Sequence, residues 1–336
     1  MNSRILISLA IATSVAASVT AVTHAADSNY IAPRNEWGQP DLRGVWNFSS
    51  NTPLERPAAY ADQEFFTDDD IAQIRARALR EIEESDGNSS QGGVGGYNQF
   101  WIEGLPIEEN RRTSLLIDPP NGRMPARVPG APVAFGGLGP DSVGELPVRF
   151  TVGGIGKDHP EQRGLSERCL LGFNSVPPFM PSMYNNNVQL FQNEDHFVIF
   201  NEMIHEARIV PIDGRPRLPE DVKQWTGDSR GYWDGDTLVV ETMNFTDKTQ
   251  TFRGTGIGAN MHLTERFTRV SDTEVHYTFT VNDPQAFVAP FTVLVPMLKM
   301  EEEIYEYACH EGNYGMVNIL RGQRVEDGTY VDASGN

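Results

Sequence analysis

Past its first two dozen residues the 336-residue chain has no long apolar run, only two cysteines, and far fewer basic than acidic side chains. Each shortage removes a class of function. A helix needs roughly 20 consecutive apolar residues to cross a bilayer, so no membrane span is expected in the mature chain. With 27 Lys and Arg against 46 Asp and Glu, the formal charge is 27 − 46 = −19. Such a surface repels phosphate backbones and anionic lipid, which argues against nucleic acid and membrane surfaces as partners. The seven histidines are scattered, with no His-x-x-x-His or other ligand spacing, so no metal is expected. No Gly-x-Ser-x-Gly elbow, no Walker loop and no dinucleotide-binding glycine turn is expected, which argues against nucleotide chemistry and serine-triad hydrolysis and leaves no cofactor to place. A neutral or cationic small molecule remains open as a ligand, and so does the oligomeric state.

What the N-terminus does contain is one positive charge at Arg4, a stretch of apolar and small residues from Ile5 to Val22, and Thr23-His24-Ala25-Ala26. These are the three parts of a secretory signal. Ser8, Thr13, Ser14, Ser18 and Thr20 dilute the stretch too much for an anchor. Residues 1–25 are therefore expected to be a cleaved signal peptide, which places the mature protein outside the cytoplasm, in the periplasm. In an oxidising compartment Cys169 and Cys309 are expected to form one disulfide, and closing a loop of that length contributes about 4 to 5 kcal/mol in the chain-entropy model. Two buried free thiols are the alternative.

The rest of the chain divides by pattern. Residues 26–165 are irregular and rich in proline and glycine, with one helix at about 68–85. Thr67 precedes Asp68-Asp69-Asp70, a side-chain cap with acids in the first turn, and Ile71, Ile74, Ala78, Leu79 and Ile82 follow at helical spacing. Within this region Asp41 to Phe48 is a candidate strand. Residues 166–325 alternate, and strands are expected at Val188–Gln192, His196–Val210, Thr237–Phe245, His262–Val270, Glu274–Asn282, Phe291–Met297 and Ile304–Cys309, with residues 326–336 as a tail. Sequential strands without crossover helices predict a mainly β protein, an antiparallel up-and-down barrel with an irregular N-terminal extension that contains one helix.

Alternation also assigns faces. Glu265 points with Leu263 and Phe267, and Glu241 points with Val239, Met243 and Phe245. A carboxyl group among apolar side chains has its pKa raised and suits proton transfer, unless it is paired with Arg208, Arg253 or Arg269. On the long strand His205 shares a face with Ile199, Asn201 and Met203, a candidate acid or base with an amide donor beside it. A third group lies in Tyr305 to Met316, where His310 is a further candidate for proton transfer and Tyr307, Asn313 and Tyr314 candidates for binding. The expected disulfide brings this segment toward Asn174, Tyr184 and Asn186. The tryptophans suit a cavity for a flat or apolar molecule, although core packing also accounts for them.

Gly38 to Trp46, Asn201 to Arg208, Trp225 to Gly231, Trp233 to Thr242 and Tyr305 to Gly315 together resemble a family of exported bacterial proteins of unsettled function. The resemblance runs across most of the mature chain and carries over no residue's role. The strand meander separately looks like the lipocalin and calycin-like barrels, which include carriers of apolar ligands and cofactor-free cyclases, isomerases and lyases. Two functions follow as expectations. One is a cofactor-independent lyase or isomerase acting by acid/base chemistry on a small apolar or aromatic molecule, with His205, Glu265 and His310 moving protons. The other is a lipocalin-like carrier of such a ligand. They differ in whether those three residues line one concavity.

Overall fold

A computed structural model describes residues 30–88, 111–131, 157–182, 184–246 and 258–331. The expected leader, Arg253 and most of the glycine cluster after residue 88 lie outside the described residues. Ten strands form one antiparallel sheet: β1 (Gly44–Asn47), β2 (Leu116–Asp118), β3 (Asn187–Gln192), β4 (His196–Asn201), β5 (Ala207–Pro211), β6 (Asp228–Asp234), β7 (Thr237–Met243), β8 (His262–Arg269), β9 (Glu274–Asn282) and β10 (Phe291–Met300). The strand order is β5-β4-β3-β1-β10-β9-β8-β7-β6, with β2 also paired to β10. Two meanders, β3 to β5 and β6 to β10, are therefore joined through β1, a strand from the N-terminal region.

This order differs from a simple up-and-down succession, and the sheet is not closed into a hydrogen-bonded barrel. Among the described residues no ladder joins the outermost strands, β5 and β6. They nevertheless lie side by side: a Cβ added at Gly231 of β6 would sit 2.8 Å from Ile212 Cγ2 and 3.1 Å from Val210 Cγ1. Glycine at 231 is what lets the two strands approach this closely.

The concave face carries the core. Val275, Tyr277, Phe279 and Val281 of β9, and Leu263, Glu265 and Phe267 of β8, have no exposed surface, on the faces that alternation assigns. Trp46 of β1 joins them, its indole N–H donating to Leu42 O at 2.9 Å. A polar tip bonded in this way lets so large a side chain be wholly buried. Each fully buried large apolar side chain in this cluster contributes roughly 1.5–3 kcal/mol relative to exposure.

Helix α1 (Asp68–Asn88) starts where the cap predicts and runs past the expected end near residue 85. Asp70 N donates to Thr67 Oγ1 at 3.2 Å while Thr67 N donates to the Asp70 carboxylate at 2.9 Å, a reciprocal capping box. The Thr67 hydroxyl is also the main reason the Asp70 carboxyl lies below its usual pKa.

Two further expectations are corrected. The long strand His196–Val210 is a hairpin, because a short turn at Met203–His205 interrupts it with left-handed backbone at Ile204 (φ 59°) and His205 (φ 44°). Ile304–Cys309 is not a strand. Instead α2 (Tyr314–Glu326) follows, capped by Asn313 Oδ1 accepting from Met316 N at 3.2 Å. Gly315 and Gly322 lower the helix propensity of that stretch and hide it from periodicity.

Candidate functional site

Two groupings of the candidate residues emerge, one inside the sheet and one at its rim. Inside, Glu265 of β8 is fully buried, and Arg208 of β5 reaches across to it with both terminal nitrogens, Nη2 donating to Oε1 at 2.7 Å and Nη1 donating to Oε2. Tyr277 OH donates to the same Oε1 at 2.7 Å. Arg208 Nη1 also lies 3.4 Å from Thr242 Oγ1, which is 2.8 Å from Ser229 Oγ. Burial, then the neighbouring Glu265 charge, pushes the Tyr277 phenol well above its ordinary pKa. Burial disfavours the Arg208 charge, but Glu265 outweighs it and raises the guanidinium pKa. Glu265 thus sits in the arginine-paired arrangement that the facing pattern left open, with Arg208 as the partner.

Ser229 is the central residue of Gly227-Asp228-Ser229-Arg230-Gly231, which has the Gly-x-Ser-x-Gly spacing of a nucleophile elbow. Its context is different. The serine is buried within β6 with its hydroxyl on Thr242, not exposed at a turn from strand to helix.

At the rim, the Cys169–Cys309 disulfide joins the two segments as expected, with Cα atoms 5.8 Å apart. Around it pack Met203, Ile204, Phe173, Tyr184 and Tyr307, and the Phe173 and Tyr184 rings meet edge to face at 5.8 Å. His205 is exposed, its Nδ1 lying 3.3 Å from Tyr307 O. His310 is also exposed and follows Cys309 directly. Asn313 Nδ2 donates to Glu167 O at 2.8 Å. Four non-glycine residues here have left-handed backbone: Cys169 (φ 57°), Asn185 (φ 55°), Ile204 (φ 59°) and His205 (φ 44°). For a β-branched residue such as Ile204 this conformation is strained, and strain of this kind gathers at functional sites. Glu206, half-buried beside His205, has its carboxyl pushed up by burial, with Arg208 and His205 acting against that.

The disulfide and the turn thus bring His205, Tyr307, His310 and Tyr184 to one rim, while Glu265 and Arg208 lie apart in the interior. The remaining candidates disperse. Asn201 is buried on the inner face of β4, its side chain 3.5 Å from Ser175 O. Asn186 is buried and closes a loop, accepting from Ser182 N at 2.7 Å and donating to Ser182 O at 2.9 Å. Tyr314 is largely exposed on α2. Glu241 faces outward instead of sharing a face with Val239 and Met243 toward the core, because the inner face of β7 is Leu238, Val240 and Thr242. It pairs with Arg217 at 3.3 Å.

Glu206 and Phe179 are prominent in the structure and were not singled out from sequence. Glu206 lay within a supposed strand whose break was hidden. Phe179 follows Pro177-Pro178 in an irregular stretch without periodicity. Comparison with known protein families, with curated proteins and with solved structures finds no match to this chain.

Proposed function

We propose that this is an exported, periplasmic, cofactor-independent enzyme, a lyase or isomerase, that moves a proton on a small apolar or aromatic molecule at the disulfide rim. In this reading the curled sheet is a lipocalin-like barrel left unlaced at one seam. The observation that carries the proposal is His205, held exposed on a left-handed turn beside Glu206, whose raised pKa suits it to share proton transfer. Tyr184, Tyr307 and His310 supply aromatic and polar surface around it. Glu265 takes a structural role here, since Arg208 and Tyr277 already occupy its oxygens.

The test is incubation of the mature chain with a library of aromatic and terpenoid compounds, scored by mass change. Turnover should be lost in His205→Asn with the thermal unfolding curve unchanged. Undiminished turnover in both His205→Asn and His310→Asn would overturn the assignment. A carrier is the second reading, favoured by the separation of Glu265 from the two histidines, and retention of a compound without mass change would select it.

A further inference from the structure

The segment from Gly172 to Ser182 sets one aromatic ring, Phe179, against the inward-facing rings of β8 and β9. Phe179 is 1% exposed. Its ring lies parallel to Tyr277, with centroids 3.9 Å and planes 10° apart, and Phe48 approaches it at 4.9 Å. Aromatic pairs favour offset or edge-on geometry with centroids about 4.5–7 Å apart, so the Phe179 stack is a close face-to-face contact. Tyr277 in turn donates to Glu265, which Arg208 also holds, and this makes one wall of the slot polar at its edge.

The base of the same segment is incompletely satisfied. Asn174 Oδ1, Ser175 Oγ and, opposite them on β4, Asn201 Oδ1 are buried without a hydrogen-bond partner among the described residues. All three residues are 3% exposed or less. The Asn174 amide nitrogen is engaged, donating to Ser182 Oγ at 2.9 Å and Asn185 O at 3.0 Å, so its oxygen is turned the other way. Orphaned buried acceptors oppose the conformation that buries them and call for a donor. Left-handed Cys169 and Asn185 flank the segment.

We propose that Gly172–Ser182 is a strap whose Phe179 fills a slot for a flat hydroxylated aromatic molecule. The guest stacks on Tyr277 in place of Phe179, and its hydroxyl donates to the oxygens left unpaired at the base of the strap. This rests on the small aromatic substrate proposed above and narrows its class to phenol-like arenes.

The experiment titrates 2-naphthol into the full mature chain and follows hydrogen–deuterium exchange over residues 172–182. Saturable binding is expected, with exchange at the strap amides faster by about tenfold, and with naphthalene, which lacks the hydroxyl, bound about tenfold more weakly. Phe179→Ala should bind 2-naphthol more tightly than the parent. Absence of binding to the parent overturns the proposal, as does binding that leaves strap exchange unchanged. Binding confined to Phe179→Ala overturns it too, because the substitution would then simply have made a cavity. The readout needs no turnover: strap release without any mass change counts against the catalytic proposal alone, and turnover without strap release counts against the strap alone.

Discussion

A glutamate with no exposed surface persists in the core because Arg208 donates two hydrogen bonds to it and Tyr277 a third. Removing one charge from such a pair strands the other, which costs about 3–5 kcal/mol. Glu265→Gln should therefore lower the unfolding free energy by about that amount, measured from urea midpoints, and pairing it with Arg208→Met should recover most of the loss. Glu206 makes a pH-dependent case. Burial raises its carboxyl pKa, so the folded state binds that proton more tightly than the unfolded chain. Its contribution to stability is full below the usual carboxylate range and is lost as pH rises through that range toward the raised folded value. Buried Asp283 is shifted the same way. Glu206→Gln should flatten part of the decline, and an identical pH profile in parent and variant would remove Glu206 from this account. For Glu265, alternation supplied the face and even the short list of partners. It could not choose Arg208, because that choice depends on how β5 lies against the far side of the sheet.

The elements differ in how openly the chain declares them. β9 spans Glu274–Asn282 as alternation predicts, since each inward residue is apolar and each end is marked by polar or turn-forming residues. β6 is the opposite case. Its residues, Asp228-Ser229-Arg230-Gly231-Tyr232-Trp233-Asp234, look like a turn, and they are extended because β7 pairs with them along their whole length. At the entry to β6, Gly227 has φ +72°, and a Cβ there would meet Thr242 Cγ2 at 2.6 Å and Met243 O at 2.7 Å. Gly227→Ala should destabilise the protein by about 1–3 kcal/mol through left-handed strain and the clash with β7, visible as a lower thermal midpoint. The hairpin between β4 and β5 was concealed for a related reason. Isoleucine has no local preference for left-handed backbone, so only tertiary packing around the disulfide can hold Ile204 there.

At the scale of the whole molecule, one covalent tie holds the C-terminal arm. No residue of α2 is buried, and just before it Asn313 and Cys309 anchor the arm to the loop at Glu167 and Cys169. The disulfide closes a sequence separation of 140 residues, for which the chain-entropy model gives about 5 kcal/mol. Reduction, or Cys309→Ser, should lower the unfolding free energy toward that amount, and trypsin should then cut first at Arg321 and Arg324. An unchanged cleavage order would mean that the arm is held by other contacts.

Everywhere else in the sheet, neighbouring strands are stitched by their backbones, but β5 and β6 only rest against each other. Among the described residues, parting them sacrifices no main-chain bond of the ladder, only side-chain crossings such as the one from Arg208. The wall therefore has a built-in line of least resistance, where β5 and β6 part more readily than any other pair of neighbouring strands.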